Sequence, residues 1–213
     1  MSTSFTGANL IPNLLAILLF LASLIISSRA FYVYVQVRNA RLFILGVAMG
    51  IIALTALADF ISGSVTTITL NTDWFLYIGQ ASSFLFILLS LANNDDDYLQ
   101  RLMRAQVLIS ALLIGLMLLS PTLPSFSNVL LKTILSGSRC VICFGIFYFY
   151  ASAFMKKHTR FSLLMSISFV LLAFGYLMIV QQYFIAGGSF FDNEGDIIRM
   201  IGLVTLLAAV FKG

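Results

Sequence analysis

The chain has 213 residues, of which 61% are hydrophobic and 9% charged, and its mean hydropathy is +1.04. A soluble domain carries about a quarter of charged residues, so the composition predicts a membrane protein and excludes a soluble enzyme core, a disordered tail and a nucleic-acid binder. The net charge is +4, and in a membrane protein the basic residues indicate first which loops are cytoplasmic.

Seven apolar segments follow one another along the chain. A helix that spans a bilayer needs about 20 mostly apolar residues, and this length is approached over residues 10–31, 42–61, 74–92, 105–120, 129–154, 161–183 and 197–211. The sequence therefore predicts an all-α fold, a polytopic integral membrane protein in which residues 1–213 form a single seven-helix transmembrane domain.

The distribution of Lys and Arg predicts the orientation of these helices. Short cytoplasmic loops are enriched in both residue types. Nine of the twelve flank the first, third and fifth breaks or the carboxyl end, and none lies in the amino-terminal tail or the other breaks; the nine are Arg29, Arg38, Arg41, Arg101, Arg104, Lys156, Lys157, Arg160 and Lys212. We therefore expect the amino terminus outside and the carboxyl terminus in the cytoplasm, which needs an odd number of helices.

The other three basic residues, Lys132, Arg139 and Arg199, fall inside predicted helices. A charged side chain near the bilayer centre costs about 2.5 to 3.5 kcal/mol, so it usually faces the interior of a bundle. Arg139 is expected about 15 Å below the outer end of the fifth helix, and Arg199 one turn into the seventh. Helical spacing places Lys132, Ser136, Arg139 and Cys143 in one sector, which must face protein or water.

Further polar residues lie in the predicted outer halves of other helices. Asp59 is near the outer end of the second, and Asp73, Tyr77 and Gln80 share one face of the third. The sequence therefore predicts an outward-facing pocket that binds an anionic or strongly polar ligand, lined by Asp59, Tyr77, Gln80, Lys132, Arg139 and Arg199.

A purely structural network of ion pairs is the alternative interpretation. Asp59 would pair with one cation, and an outer loop that carries Asp192, Glu194 and Asp196 would pair with the others. Inside the predicted helices, however, Asp59 stands alone against three cations, and the loop acids are too distant from Arg139. One or two positive charges are therefore expected to lack a counter-charge.

Neither catalytic nor metal-binding chemistry is predicted. Cys140 and Cys143 lie within an apolar helix, and His158, the single histidine, is in a predicted cytoplasmic loop, whereas a zinc site needs three or four ligands. We interpret the cysteines as packing residues and expect no cofactor, no metal and no enzyme. Gly46 and Gly50 form a GxxxG that predicts close helix packing, and the acids at 95–97 predict a helix cap.

Better-known seven-helix proteins carry residues that this chain lacks. Retinal needs a lysine in the middle of the seventh helix, where this sequence has none. Zinc-dependent membrane hydrolases need several histidines. Broken helices and inverted repeats, which are common in transporters, are not visible either.

The segments RLFILGVAMGIIALTALADF, WFLYIGQASSFLFILLSLA and DIIRMIGLVTLLAAVF resemble the helices of amino-terminal seven-helix sensor modules in prokaryotic histidine kinases and diguanylate cyclases. That resemblance implies sensing of a ligand or of the membrane state, in a prokaryotic cytoplasmic membrane, with no catalytic residue to transfer. In that group the seventh helix commonly leads into a cytoplasmic kinase or cyclase output domain. Because this sequence stops just after the seventh segment, we expect either part of a longer protein or a free-standing receptor-like protein.

Three functions follow as expectations. The first is a sensory or ligand-binding module that detects a soluble or membrane-borne ligand and signals to a cytoplasmic output domain or partner. The second is a small anion carrier or channel, and the third a structural membrane subunit. The expected partners are the lipid bilayer and a small anionic or polar ligand, with a homodimer left open and no nucleic acid.

Overall fold

The computed structural model describes residues 10–64, 72–93, 95–123, 128–182, 184 and 189–212. These residues form no strand. They form a 3-10 turn at Ser120–Thr122 and seven α-helices, α1 Leu10–Val37, α2 Ala40–Ser64, α3 Asp73–Ala92, α4 Asp96–Leu118, α5 Val129–Lys157, α6 Arg160–Gln182 and α7 Ser189–Lys212. Six of them, α1 to α6, are long and apolar enough to cross a membrane. The chain is an all-helical integral membrane protein.

Two helices begin earlier than predicted. α4 begins at Asp96 and α7 at Ser189, nine and eight residues before the predicted starts. The apolar pattern identifies only the part of a helix that faces lipid or the core, so it did not predict the polar first turns of these two helices. The predicted cap of α4 is confirmed, because the Asp95 carboxylate accepts a hydrogen bond from the Asp97 amide at 3.3 Å.

The longer α7 overturns two expectations. Asp192, Glu194 and Asp196 lie in a helix, not in an outer loop. Arg199 is ten residues from the start of α7 rather than one turn, which places it about 15 Å along the helix axis. It therefore lies about as deep as Arg139, which is ten residues into α5.

Six helices form a closed ring in the order α1, α2, α3, α5, α6, α7, and α4 packs outside the ring on α2 and α3. Two-residue connections reverse the chain between α1 and α2 and between α5 and α6, with Arg38 and His158 in the left-handed region at φ 57° and 48°. We call the end of the bundle where α1, α3, α5 and α7 begin the outer end, following the predicted orientation.

Glycines allow the closest helix contacts. A Cβ atom on Gly46 would lie 3.2 Å from the Phe31 ring, and one on Gly50 would lie 3.3 Å from Ser27 Oγ. Ser27 Oγ also donates a hydrogen bond to the Gly46 carbonyl at 2.8 Å. The predicted GxxxG packing of α2 is thereby confirmed, with α1 as its partner.

An unpredicted glycine contact joins α6 to α7. A Cβ atom on Gly175 would overlap Arg199 Cγ and lie 2.9 Å from the Gly195 carbonyl oxygen. The aliphatic stem of Arg199 therefore crosses α6 at the one place where α6 has no side chain. This crossing brings the guanidinium into the bundle.

Apolar side chains fill the bundle below the level of Arg139. Phe84, Ile146, Phe169 and Leu206 are all at most 3% exposed and belong to one core cluster, together with the buried Cys140 and Cys143. Phe84 packs edge-on against Phe169, with ring centroids 6.5 Å apart. The two cysteines are packing residues, as predicted.

Gly175→Ala tests the α6–α7 crossing. The added methyl group has to displace Arg199 or the α7 backbone, and overpacking of this kind costs about 1 to 3 kcal/mol, so the melting temperature in detergent should fall. Gly115→Ala is the control, because nothing lies within 4 Å of its Cβ position and alanine is the better helix former. Equal melting temperatures for the two variants would contradict the crossing.

Candidate ligand-binding cavity

A cavity of about 410 Å³ lies in the outer half of the ring. All six ring helices contribute to it. The six residues predicted from the sequence as a pocket line it together, and the full lining is Leu15, Ala16, Leu19, Ala56, Asp59, Leu76, Tyr77, Gln80, Lys132, Arg139, Ile179, Asp196 and Arg199. One wall, formed by α1 and part of α2, is apolar, and the facing walls of α3, α5 and α7 are polar.

The upper layer of the polar wall is an ion pair between α3 and α5. Lys132 Nζ donates to Asp73 Oδ2 at 3.1 Å. Asp73 lies on the predicted face of α3 but was not predicted to be a counter-charge. That omission was wrong, because Lys132 is neutralised by Asp73.

The lower layer is built around Arg139, which is 3% exposed. Its guanidinium donates to Gln80 Oε1 at 2.6 Å and to Ser136 Oγ at 3.0 Å. The rings of Tyr77 and Tyr176 lie against it, with centroids 4.8 and 4.7 Å from Cζ. Its Nε has no hydrogen-bond partner, and no carboxylate forms a salt bridge with Arg139 in the described part of the chain.

The two layers repeat one geometry with different chemistry. Seven residues separate Asp73 from Gln80 on α3, and seven separate Lys132 from Arg139 on α5, so the contacts are about 10.5 Å apart on helices that run in the same direction. In the upper layer a carboxylate faces the cation. In the lower layer the neutral amide of Gln80 faces the cation, so the charge of Arg139 is not compensated.

Arg199 has its own counter-charge. Its guanidinium forms an ion pair with Asp196, one turn earlier on α7, and Asp196 is 4% exposed. The alternative interpretation, in which an acid of this region pairs with a cation, is thus confirmed for Asp196 and Arg199, whereas in the described part of the chain none of these acids forms a salt bridge with Arg139. One or two of the three cations were predicted to lack a counter-charge, and among them Arg139 is the one that forms no salt bridge with a described residue.

Asp59 is the acid on α2 that lines the cavity. Its side chain lines the cavity and is solvent-exposed. No salt bridge joins it to Lys132, Arg139 or Arg199. The ion pair that the alternative interpretation assigns to Asp59 is therefore not formed with these cations, and Asp59 shares the cavity with all three of them, as the predicted pocket requires.

Tyr176 belongs to the site and was missed. Its hydroxyl donates to Gln80 Oε1 at 3.2 Å, and its ring centroid lies 4.7 Å from Arg139 Cζ and 5.3 Å from Arg199 Cζ. The only sequence signal was a tyrosine in the otherwise apolar stretch 169–180. Residue 183, the predicted end of the sixth helix, lies outside the described residues.

The polar groups of this cavity are of a kind that can bind an anion. A buried guanidinium and two tyrosine rings can hold an anionic group through charge-assisted hydrogen bonds. Where side chains are described, no three His, Cys, Asp or Glu residues are placed to hold a metal ion.

Compared with protein-family models, with curated proteins and with solved structures, the chain matches none of them. Its function has to be inferred from the cavity.

Gln80→Leu tests how Arg139 is held. The substitution removes the acceptor shared by Arg139 and Tyr176, and losing a buried hydrogen bond to a charged group costs about 1.5 to 3 kcal/mol. Thermal unfolding in detergent should show a lower melting temperature. Gln100→Leu, at an exposed position on α4, should change stability by less than about 0.5 kcal/mol. A Gln80→Leu variant as stable as wild type would show that Gln80 does not hold the cation.

Proposed function

We propose that this chain is a membrane ligand-binding module that receives a small ligand with an anionic group in its outer cavity. One observation carries the proposal: Arg139 is buried, lines the cavity and has neutral partners only, Gln80, Ser136 and two tyrosine rings. A buried charge without a counter-charge is costly. A carboxylate, phosphate or sulfate at Arg139 would supply that counter-charge.

In this proposal the chain spans the membrane seven times, with the amino terminus and the cavity outside. Supporting it, the nine basic residues that predicted the orientation all lie in the half of the bundle opposite the cavity. α7 carries several charges, yet Asp196 and Arg199 neutralise each other, which lowers the cost of placing this helix in a membrane.

The packing of the bundle interior favours a module that binds a ligand and signals over a channel. Below the cavity the bundle is filled largely by buried apolar side chains, among them Phe84 and Phe169, and this packing opposes an ion path. A ligand would act by shifting helices toward the inner end. A cytoplasmic output domain or partner would read that shift, as the resemblance to sensor modules implies.

Cysteine labelling in intact cells tests the topology. Ile68→Cys in the α2–α3 connection should react with a membrane-impermeant maleimide from outside, and Lys157→Cys at the end of α5 should not. The native Cys140 and Cys143 are buried, so their background labelling should be low. Labelling of position 157 but not of position 68 would reverse the orientation.

Thermal unfolding with candidate anions tests the site. Acetate, phosphate and sulfate should each be titrated, and an anion at a hundred times its dissociation constant stabilises by about 2.7 kcal/mol, or about 5 to 10 °C for a chain of this size. Arg139→Ala should lose this shift while remaining at least as stable without anion, because no carboxylate is stranded.

Two further variants sharpen that experiment. Gln80→Glu places a carboxylate where the amide now contacts Arg139, so it should also abolish the anion-induced shift. Arg101→Ala removes an exposed cation on α4, outside the ring, and should keep the shift. Stabilisation by anions that is equal in wild type and Arg139→Ala would place the site elsewhere and refute the proposal.

A further inference from the structure

The charges around the cavity are balanced overall but not locally. Asp73 neutralises Lys132, and Asp196 neutralises Arg199. The two that remain are Arg139 and Asp59, which form no salt bridge with each other or with another residue of the described chain. The cavity thus offers one positive and one negative charge to whatever fills it.

These two charges lie on different helices and at different depths. Asp59 is on α2, five residues from its outer end, and Arg139 is ten residues from the outer end of α5. At about 1.5 Å per residue their backbones differ in depth by roughly 7 to 8 Å. α3 lies between α2 and α5 in the ring, so the positive group is deep and the negative group is shallow.

The balance of charge decides which ligand is favoured. Three acids, Asp59, Asp73 and Asp196, offset the three cations of the cavity region. A simple anion bound at Arg139 would leave one negative charge in excess and would be repelled by Asp59. A ligand that also carries an ammonium group near Asp59 would keep the region neutral and satisfy both unpaired charges.

The surface between the two charges is apolar on one side. Leu15, Ala16 and Leu19 of α1 line it, with Ala56 one turn below Asp59 on α2. Burial of a ligand's methylene groups there is favourable, because it removes apolar surface from water. The cavity therefore fits a molecule with two charged ends and an apolar spacer.

We infer that the ligand class is a small zwitterion, with its carboxylate or other anionic group deep on Arg139 and its amine shallow at Asp59. This inference rests on the proposed function, because it needs the anionic group at Arg139. It adds the second charge, the orientation of the ligand and the apolar spacer.

Isothermal titration of the purified full chain with two matched series tests it. One series is the ω-amino acids from glycine to 6-aminohexanoate, and the other is the unbranched carboxylates of the same chain lengths without the amine. The best ω-amino acid should bind about fivefold more tightly than its amine-free counterpart, which is the gain expected from one solvent-accessible ion pair. The preference should peak at an intermediate spacer length.

Three variants locate the two ends of the ligand. Asp59→Asn should abolish the preference for the amine while leaving affinity for the plain carboxylate unchanged or higher. Asp59→Glu should retain the preference. Asp97→Asn, at an exposed acid on α4 outside the ring, is the charge-matched control and should behave as wild type.

The failures of the two proposals are distinguishable. If wild type binds both series equally, or if Asp59→Asn retains the amine preference, the zwitterion inference is overturned and anion binding at Arg139 stands. If neither series binds and acetate, phosphate and sulfate leave the melting temperature unchanged, the proposed function itself fails. Tight binding of plain amines that Arg139→Ala does not weaken would overturn both.

Discussion

The bundle is organised around one buried charge, the guanidinium of Arg139. Three helices supply its surroundings, α3 with Gln80 and Tyr77, α5 with Ser136, and α6 with Tyr176. None of these groups carries a negative charge, so they lower the cost of burying the cation without cancelling it. A fold that tolerates such a residue ten residues into a 29-residue helix either loses stability there or gains a ligand.

The contrast between the two layers on α3 and α5 makes the second explanation the stronger one. Asp73 and Lys132 show that this helix pair can place a carboxylate against a cation. One heptad deeper, the same geometry holds Gln80 against Arg139. Glutamate differs from glutamine by one atom type and would fit the same space, so a purely structural role does not explain the amide. The amide is explained if Arg139 binds a ligand, because Gln80 leaves the positive charge of Arg139 without a counter-charge.

Periodicity and loop charges predicted much of this arrangement. Helical spacing on α5 placed Lys132, Arg139 and Cys143 on one inward face, and the six predicted pocket residues share one cavity. The apolar pattern could not predict how far a helix extends beyond its apolar segment. Asp196 was therefore assigned to a loop, and its burial in α7 was not predicted. Tyr176 was missed for a related reason, since its role arises from contacts across the bundle. The Gly175 crossing likewise depends on the rotation of α7 against α6.

α7 connects the cavity to the opposite end of the bundle. Its outer half carries the Asp196–Arg199 pair, and its inner end carries Phe211, whose ring lies 4.8 Å from the guanidinium carbon of Arg29 on α1. Between them α7 packs closely on α6, where a Cβ on Gly202 would lie 3.2 Å from the Ser168 carbonyl oxygen. Such contacts resist sideways separation and permit only small sliding or rotation of packed helices. Under the proposed function, a ligand in the cavity that shifts α7 would therefore change the contact between Phe211 and Arg29 near the opposite end of the helix.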